Sequence, residues 1–326
     1  MSRIQKYKES LYRFIKEKSC LFEFETNDEL NTYVYNKIKN SDLIFPILLL
    51  TIMNNQNKKN RMTMQGYYMA SCVEFLTIIF YLVEFKNDVI RDVGEMNYTK
   101  MWNNVNLYAN KSLQQNLESI KNTYQQMPKE FVDILLNALN TLNGTLQILY
   151  SYENSNINVS NRQCDNNIVK WYLKNNDGDL LNKFKTFKQV TTESLNIYIE
   201  KKYTSICDFS IIIGWLMGGG NVKDVPKLKK ISKSFSIMYK LAKDFENLDN
   251  DIKNSTDYTT NYVLNYGLQN GYEMFLNSKQ SFIEDSMVDD MYTNTIKEIV
   301  DIIEANVDLI IDQTSPDLKS NYSSNA

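Results

Sequence analysis

Residues 192–220 read TESLNIYIEKKYTSICDFSIIIGWLMGGG, and this stretch decides the fold. Its first 26 residues, 192–217, contain no proline and are rich in apolar side chains, which predicts one long helix. Gly218, Gly219 and Gly220 then supply a strong stop, because glycine tolerates the backbone conformations of a helix end. The rest of the chain is similarly poor in breakers: 10 Gly and 4 Pro make up about 4% of its 326 residues, where roughly 12% is usual. So few breakers favour long helices over a β-sandwich or a turn-rich α/β protein.

Apolar spacing and capping signals predict further helices along the chain. The first of these helices begins at the capping box of Thr26 and Glu29, and the second begins near Ser41 or Asp42 with Pro46 in its first turn. Further helices begin at Gln65, at Pro128 and at Pro226, and the helix from Pro226 runs to about Asp251. A final helix carries Ile296 to Ile310.

No internal repeat or linker divides the sequence. We therefore predict an all-α bundle of about ten to twelve helices, in which residues 1–313 form a single domain. Residues 314–326 are predicted to be a disordered tail. Residues 154–165 are polar and predict a loop, and no two segments predict a strand pair.

The composition excludes several classes of function. There is no histidine, so the chain has no Ser-His-Asp or Cys-His nucleophile, no HExxH zinc site and no imidazole base. Lys and Arg number 36 and Asp and Glu number 39, and the resulting net charge of −3 argues against a strongly basic nucleic-acid-binding protein.

Cysteine and apolar patterns bear on the compartment. Cys20, Cys72, Cys164 and Cys207 follow no pairing motif and predict buried, reduced thiols in an intracellular, cytoplasmic protein. Residues 1–18 are charged throughout, so no signal peptide is predicted. The apolar runs 43–53 and 73–85 are shorter than the roughly 20 residues that cross a bilayer, so they predict buried core helices and no membrane span.

The remaining catalytic repertoire is carboxylate, Lys, Arg and Tyr. Glu84 and Asp88 lie four apart after an apolar run, and Asp244, Asn247 and Asp251 have spacings of three and four. Each group is expected to share one helix face. Carboxylates that face each other across a bundle can hold Mg²⁺, which in turn can hold a diphosphate. The alternative is that both groups are solvated helix faces.

Lysines complicate the second acidic group. Lys243 adjoins Asp244, where a metal site would favour another carboxylate, and an ammonium there would repel Mg²⁺. Lys243 is either part of an ordinary ion pair or the replacement for a metal. The basic stretch from Lys227 to Lys240 either faces an anionic ligand or is a solvated helix face.

Residues 237–248, IMYKLAKDFENL, resemble the second aspartate-rich helix of the trans-isoprenyl (polyprenyl) diphosphate synthases, nearest the geranylgeranyl diphosphate type, written LYFQxxDDYxNL. The resemblance is collinear over about residues 41–266. On this match, Tyr239 stands at the Phe of the motif, Lys240 at its Gln, Lys243 at its first Asp, Asp244 at its second Asp and Asn247 at its third acidic position.

Other segments are similar to the family with altered residues. Lys202, Tyr203 and Thr204 resemble its KT motif, and residues 257–262, DYTTNY, resemble the start of DLTEGKxSFP with Tyr262 in place of lysine. The matches in the N-terminal half are weaker: the GKxxR element falls on Ser41, Asp42 and Phe45, the DDxxD motif falls on Glu84, Phe85 and Asp88, and Arg91 is out of register with the arginine pair of the family.

The resemblance implies an isoprenoid-synthase-like helical bundle around a central apolar cavity, and a homo- or heterodimer. It implies Mg²⁺ as the cofactor and a prenyl diphosphate as the ligand, if the site is retained. The implied metal ligands are Glu84, Asp88, Asp244 and Asp251; the implied diphosphate-binding residues are Lys202, Lys240, Lys243 and Arg91; Asn247 and Thr204 complete the site.

Three functions follow from the altered motifs. Losing one transition-state-stabilising group typically costs about 10²–10³ in rate, so several losses predict a weak or inactive homologue that binds a prenyl or diphosphate ligand or serves as a non-catalytic subunit. The second is an active Mg²⁺-dependent prenyltransferase, or a terpene-synthase-like enzyme with rebuilt motifs, since Asn250, Asp251 and Ser255 loosely match NDxxS with the serine one residue late. The third is a structural or interaction protein on the same scaffold.

Overall fold

The computed structural model describes residues 2–19, 21, 28–60, 66–123, 157–164 and 178–314, with the single positions 136, 140, 143, 144 and 147. In this part of the chain there are fourteen α-helices and one pair of β-strands. The elements are α1 (Arg3–Lys18), α2 (Asp28–Lys39), α3 (Ile44–Asn60), α4 (Gly66–Glu84), α5 (Lys86–Val93), α6 (Glu95–Thr123), β1 (Val159–Gln163), α7 (Gly178–Phe184), β2 (Lys188–Val190), α8 (Thr192–Ile199), α9 (Ser205–Met217), α10 (Val225–Glu246), α11 (Leu248–Asn254), α12 (Tyr262–Tyr266), α13 (Leu268–Val288) and α14 (Asn294–Thr314).

Contacts divide the chain into two compact units. The first comprises residues 1–154, 205–230 and 290–298, and the second comprises residues 155–204, 231–289 and 299–326. The prediction of a single domain over residues 1–313 stays a prediction. The predicted cap at Thr26, the predicted helix starts at Gln65 and Pro128 and the predicted tail beyond Thr314 lie outside the described residues.

Apolar helices α3, α4 and α9 build the core of the first unit. Consecutive residues 47–50 of α3 are all buried, and 13 of the 19 residues of α4 are buried. Gly214 lets α9 approach α3, because a Cβ at this position would lie 2.7 Å from the carbonyl oxygen of Leu49. The apolar run ending at Phe85 was therefore correctly interpreted as a core helix.

Helix α4 confirms the helix that the sequence predicts from Gln65 to Phe85, over its described residues Gly66–Glu84. Its 19 residues are long and apolar enough to cross a membrane by length and composition, and 72% of its most apolar window is buried in the protein. The apolar run 73–85, which alone is too short to cross a bilayer, is the C-terminal part of this helix. Among the described cysteines, Cys72, Cys164 and Cys207 are buried and form no disulfide.

The predicted long helix over residues 192–217 is helical throughout, but it includes a π-helical turn. Helix α8 is followed by a π-helical turn, Glu200–Thr204, and only then by α9. A π-helical turn contains one extra residue, and the spacing of apolar residues in the sequence does not reveal it. Such turns are frequent at functional sites. The glycine stop is confirmed: α9 ends at Met217, and Gly219 has a φ of 89°.

The second unit contains a strand pair that the sequence did not predict. Val159 pairs with Val190 and Gln163 with Lys188 in an antiparallel arrangement with an irregular register. The Asn265 side chain supports it, since Oδ1 accepts a 2.7 Å hydrogen bond from the Val190 backbone. The loop prediction for residues 154–165 is wrong at Val159–Gln163, because VSNRQ lacks apolar alternation and pairs through distant residues.

We predict that Gly214→Ala lowers the free energy of unfolding by about 1–3 kcal/mol, because the added methyl group overlaps backbone atoms of Leu49, which are part of α3. Gly178→Ala is the matched control: a Cβ there has no neighbour within 4 Å, so its effect is neutral or slightly stabilising. Thermal and urea unfolding of both variants measure the difference. Equal stability of the two variants would contradict the close approach of α9 to α3.

Candidate functional site

A buried ion pair on α10 is the centre of the candidate site. Lys240 and Asp244 are one helical turn apart, and only 3% and 2% of their surfaces are exposed. The Lys240 ammonium donates to Oδ1 of Asp244 and also, at 3.1 Å, to the backbone carbonyl of Thr260. Because charges this deeply buried are costly unless paired and hydrogen-bonded, this pair fixes the local arrangement.

The segment that follows α11 holds the other side of Asp244. Oδ2 of Asp244 accepts a 2.9 Å hydrogen bond from the backbone N–H of Tyr262. The Asn261 amide donates to the backbone carbonyl of Asp244 at 2.8 Å and to Oδ2 of Asp251 at 2.7 Å. Burial raises the pKa of Asp244 to about 6, Lys240 opposes the increase, and the nearby Asp251 adds to it. Both carboxylate oxygens of Asp244 are thus engaged within the protein.

A second buried lysine lies against the same aromatic rings. The Lys202 ammonium, on the π-helical turn, donates a 2.8 Å hydrogen bond to the Tyr198 hydroxyl. It lies 5.1 Å from the ring centroids of both Tyr198 and Tyr203, and the Lys240 ammonium lies 5.4 Å and 5.9 Å from the same two centroids. We call Lys202, Lys240, Tyr198, Tyr203 and Asp244 the lysine-pair site.

Thr204 ends the same π-helical turn. It is 9% exposed, and its hydroxyl has no hydrogen-bond partner within the described part of the chain. A buried hydroxyl without a partner loses its hydration without compensation, and a bound polar group would supply the missing hydrogen bond.

Lys243 forms an ion pair with Glu246 on the same helix. Its ammonium is 2.8 Å from Oε2 of Glu246 and 5.4 Å from the Tyr239 ring centroid, and both partners of the ion pair are partly exposed. The structure therefore pairs Asp244 with Lys240 instead of Lys243. The spacing of four between Lys240 and Asp244 was a usable signal in the sequence, since such residues are neighbours on a helix.

Asn247 marks a helix boundary within the second acidic group. Helix α10 ends at Glu246, α11 begins at Leu248, and the Asn247 amide donates a 2.9 Å hydrogen bond to the Lys243 carbonyl. The spacing of Asp244, Asn247 and Asp251 predicts that they share one helix face. This prediction is wrong, because the three residues are divided between two helices and the boundary residue. The Asn261 amide bridges Asp244 and Asp251 through its two hydrogen bonds.

The first acidic group is also divided by a helix boundary. Glu84 is the last residue of α4 and is exposed, whereas Asp88 belongs to α5, which follows a break at Phe85. Arg91 forms a 2.9 Å ion pair with Asp88, and the arginine side chain is 75% exposed. The expected single face of Glu84 and Asp88 is thus replaced by two helices, although no glycine or proline marks the boundary.

Ser41 and Asp42 begin a helix in this structure. The Ser41 hydroxyl accepts from the Leu43 backbone and Oδ1 of Asp42 accepts from the Ile44 backbone, each at 3.2 Å. These are the positions where the resemblance implied the GKxxR element. Here they cap the start of α3, as Ser and Asp ordinarily do.

Glu74 is a fully buried acid within the first unit. Burial raises its pKa well above the ordinary value for glutamate, and Asp42 adds to the increase, whereas the Ser41 hydroxyl and Lys8 oppose it. Burial raises the pKa of Tyr12 to about 12, and the nearby Glu74 carboxyl adds to the increase. Glu74 is thus a candidate for a carboxyl that stays protonated at neutral pH.

The described residues do not fit a Mg²⁺ cluster. Among them, no group of three or more Asp, Glu, Cys or His side chains could hold a metal ion. Asp244 gives both oxygens to Lys240 and Tyr262, and Lys243 stands where the resemblance implied another carboxylate. Hard cations such as Mg²⁺ need oxygen ligands that are not already committed to ammonium groups.

Comparison with known proteins places the fold. No family model and no curated protein matches the sequence. Among solved structures, the chain is similar to an apo farnesyl/geranylfarnesyl (FPP/GFPP) diphosphate synthase from Zymomonas mobilis, with 11% identity, coverage of 93% of this chain and 97% of that chain and a TM-score of 0.61. It is also similar to a geranyltransferase from Legionella pneumophila, with 12% identity, coverage of 94% of this chain and 95% of that chain and a TM-score of 0.61. A third similar structure is a geranylgeranyl pyrophosphate synthetase from the archaeon Geoglobus acetivorans, with 12% identity, coverage of 97% of this chain and 93% of that chain and a TM-score of 0.53.

These similarities show the all-α fold of the prenyl diphosphate synthases over nearly the whole chain. The resemblance inferred from residues 237–248 is therefore confirmed at the level of the fold. Because the similar structures carry different product names, they do not select the geranylgeranyl type.

We predict that Lys240→Met lowers the free energy of unfolding by about 3–5 kcal/mol, because it leaves the buried Asp244 carboxylate without its cation. Lys243→Met is the matched control on the same helix; its partly exposed ion pair is worth at most about 1 kcal/mol. Adding Asp244→Asn to Lys240→Met should recover part of the loss. Urea unfolding of the four proteins measures these changes, and equal losses for Lys240→Met and Lys243→Met would contradict the account.

Glu74 predicts a pH dependence of stability. Because its pKa in the folded state lies above that in the unfolded state, its favourable contribution is complete below pH about 4.5 and is lost as the pH rises through the folded-state pKa. We expect Glu74→Gln to reduce the decline of stability as the pH rises, most clearly above about pH 7, where the Asp244 carboxyl is mostly ionised. Unfolding midpoints at a series of pH values measure the slope.

The exposed Glu9→Gln variant is the control for this experiment, since it removes a carboxyl from the surface of the same unit. Its slope should equal that of the unmodified protein. A Glu74→Gln variant with an unchanged slope would show that Glu74 is ionised in the folded protein.

Proposed function

We propose that this chain is a member of the prenyl diphosphate synthase family that binds a prenyl diphosphate through lysines and is weak or inactive in Mg²⁺-dependent chain elongation. The observation that carries the proposal is the buried Lys240–Asp244 pair. It engages the carboxylate at the position where the resemblance implies a metal ligand.

The lysine-pair site has the chemistry to bind a diphosphate. Lys202 and Lys240 bring two buried ammonium groups close to the same two tyrosine rings, and their like charges repel each other. A diphosphate would relieve this repulsion and accept charge-assisted hydrogen bonds from both lysines. The Thr204 hydroxyl and the Tyr198 hydroxyl would be further partners.

The same arrangement disfavours ionisation of the ligand. Breaking the allylic C–O bond places negative charge on the leaving diphosphate, and the charge must be neutralised in the transition state. Lysines supply part of this stabilisation. The Mg²⁺ ions expected from the resemblance would supply more, but the carboxylate set does not fit them. Binding without efficient turnover is therefore the function that the site supports best.

Other expectations stay predictions. They are a role as a non-catalytic subunit, assembly as a homo- or heterodimer and a cytoplasmic location.

We expect farnesyl diphosphate to raise the melting temperature equally in EDTA and in Mg²⁺, because lysines rather than metal ions hold the diphosphate. Lys202→Met should weaken binding by about 10–100-fold, the equivalent of a charge-assisted hydrogen bond. Lys233→Met, an exposed lysine of α10, is the matched control and should bind like the unmodified protein. Isothermal titration provides the affinities.

A parallel assay of pyrophosphate release with isopentenyl diphosphate, farnesyl diphosphate and Mg²⁺ tests the inactivity. Little or no turnover is expected. Rapid Mg²⁺-dependent elongation would favour the active prenyltransferase, and no binding of farnesyl diphosphate under either condition would favour a structural or interaction protein.

A further inference from the structure

The first unit contains a polar cleft that the proposed function does not use. Its volume is about 460 Å³, and it is lined by residues of α1, α3 and α4 and by Thr293 and Thr295 at the start of α14. This volume is within the range of about 300–1,000 Å³ for small-molecule sites.

The lining is polar and cationic. Arg3 and Lys6 of α1 line it, the remaining lining side chains carry hydroxyl or amide groups, and no carboxylate is among the described residues that form its wall. Each of these lining residues therefore carries a group that can form hydrogen bonds. The composition of the cleft favours a small, hydroxylated anion.

The N-terminus of α14 contributes to the same wall. The helix has 21 residues, and Thr293 caps it by accepting a hydrogen bond from the Ile296 backbone at 3.3 Å. Backbone N–H groups in the first turn of a long helix attract anions, phosphate groups above all. Thr295, in this first turn, is buried and lines the cleft.

Thr51 gives independent evidence for a ligand. It lines the cleft from α3, is only 4% exposed, and its hydroxyl has no hydrogen-bond partner within the described residues. Threonine in a helix usually donates to the carbonyl four residues earlier, so an unpaired buried hydroxyl beside a cleft calls for an explanation. A phosphoryl or hydroxyl oxygen of a ligand would pair with it.

Hydrogen bonds hold the walls of the cleft together. The Arg3 backbone N–H donates to Oε2 of Glu298 at 3.2 Å, so this carboxylate is engaged at the first turn of α1. The Asn55 amide donates to the Asp290 carbonyl at 2.8 Å, which ties α3 to the segment before α14. Hydrogen bonds within one unit therefore hold the cleft together.

We propose that this cleft binds a small phosphorylated, hydroxylated molecule. Its phosphoryl group lies at the N-terminus of α14 beside Arg3 and Lys6, and its hydroxyl groups pair with Thr51 and the amide side chains of the wall. The site is separate in its residues from the lysine-pair site and does not depend on the proposed function.

Isothermal titration with inorganic phosphate and with glycerol 3-phosphate, at constant ionic strength, tests the proposal. We expect both to bind, with glycerol 3-phosphate at least about 5-fold tighter because its hydroxyl groups find partners. The double variant Arg3→Ala/Lys6→Ala should weaken both by at least about 10-fold, and Thr51→Val should weaken glycerol 3-phosphate about 5-fold without lowering the melting temperature of the unliganded protein.

Two controls assign the binding to this cleft. Lys229→Ala/Lys230→Ala removes two exposed cations from the same unit and should leave both affinities unchanged. Lys202→Met removes a lysine of the lysine-pair site and should also retain binding at the cleft, so the two proposals can fail separately. Affinities unaffected by Arg3→Ala/Lys6→Ala, or no measurable binding of either compound, would overturn the inference; equal affinities for the two compounds would refute the phosphate ester as the ligand.

Discussion

The buried contact between Lys240 and Asp244 constrains the second unit, because both charges are almost fully shielded from water. Neither charge can be left alone at this depth, so the segment around Thr260 and Tyr262 must return to α10 to complete the hydrogen bonds of both. Asn261 extends the arrangement to Asp251. The position of the acidic residues therefore follows from neutralising a lysine and not from gathering around a metal ion.

The π-helical turn places a second cation, the Lys202 ammonium, near the Lys240–Asp244 pair. In an uninterrupted α-helix, residues 198 and 202 would also be one turn apart, but the wider turn accommodates Lys202 and Thr204 in a buried position. Aromatic faces of Tyr198 and Tyr203 replace part of the hydration that the two ammonium groups lose. A buried cationic surface of this kind is suited to an anion, whereas carboxylates not already bound to lysines would be suited to Mg²⁺.

Much of the fold was predictable because strong local signals agree with tertiary packing. The apolar run of α4 and the three glycines after Met217 specify a core helix and a helix end wherever they occur. The family resemblance of residues 237–248 is confirmed in the fold, since the similar structures cover at least 93% of the chain.

The remaining features depend on contacts that no local pattern shows. Strand β1 exists because Val159 meets Val190, and the helix boundary after Glu84 falls at Phe85, an ordinary helix residue. The site was harder to predict. Lys243 precedes Asp244 directly in the sequence, but the helical repeat brings Lys240 to Asp244 in space. Adjacent residues on a helix point in different directions, so spacing of four was the better guide than adjacency.

The most direct measurement of the central claim is a titration of the protein with Mn²⁺, a paramagnetic substitute for Mg²⁺, in the presence of a non-hydrolysable farnesyl thiodiphosphate, followed by electron paramagnetic resonance. The account predicts that the thiodiphosphate binds in EDTA and that the protein adds no Mn²⁺ sites beyond those of the ligand itself. Tight binding of about three Mn²⁺ ions per chain, required for the ligand to bind at all, would contradict it.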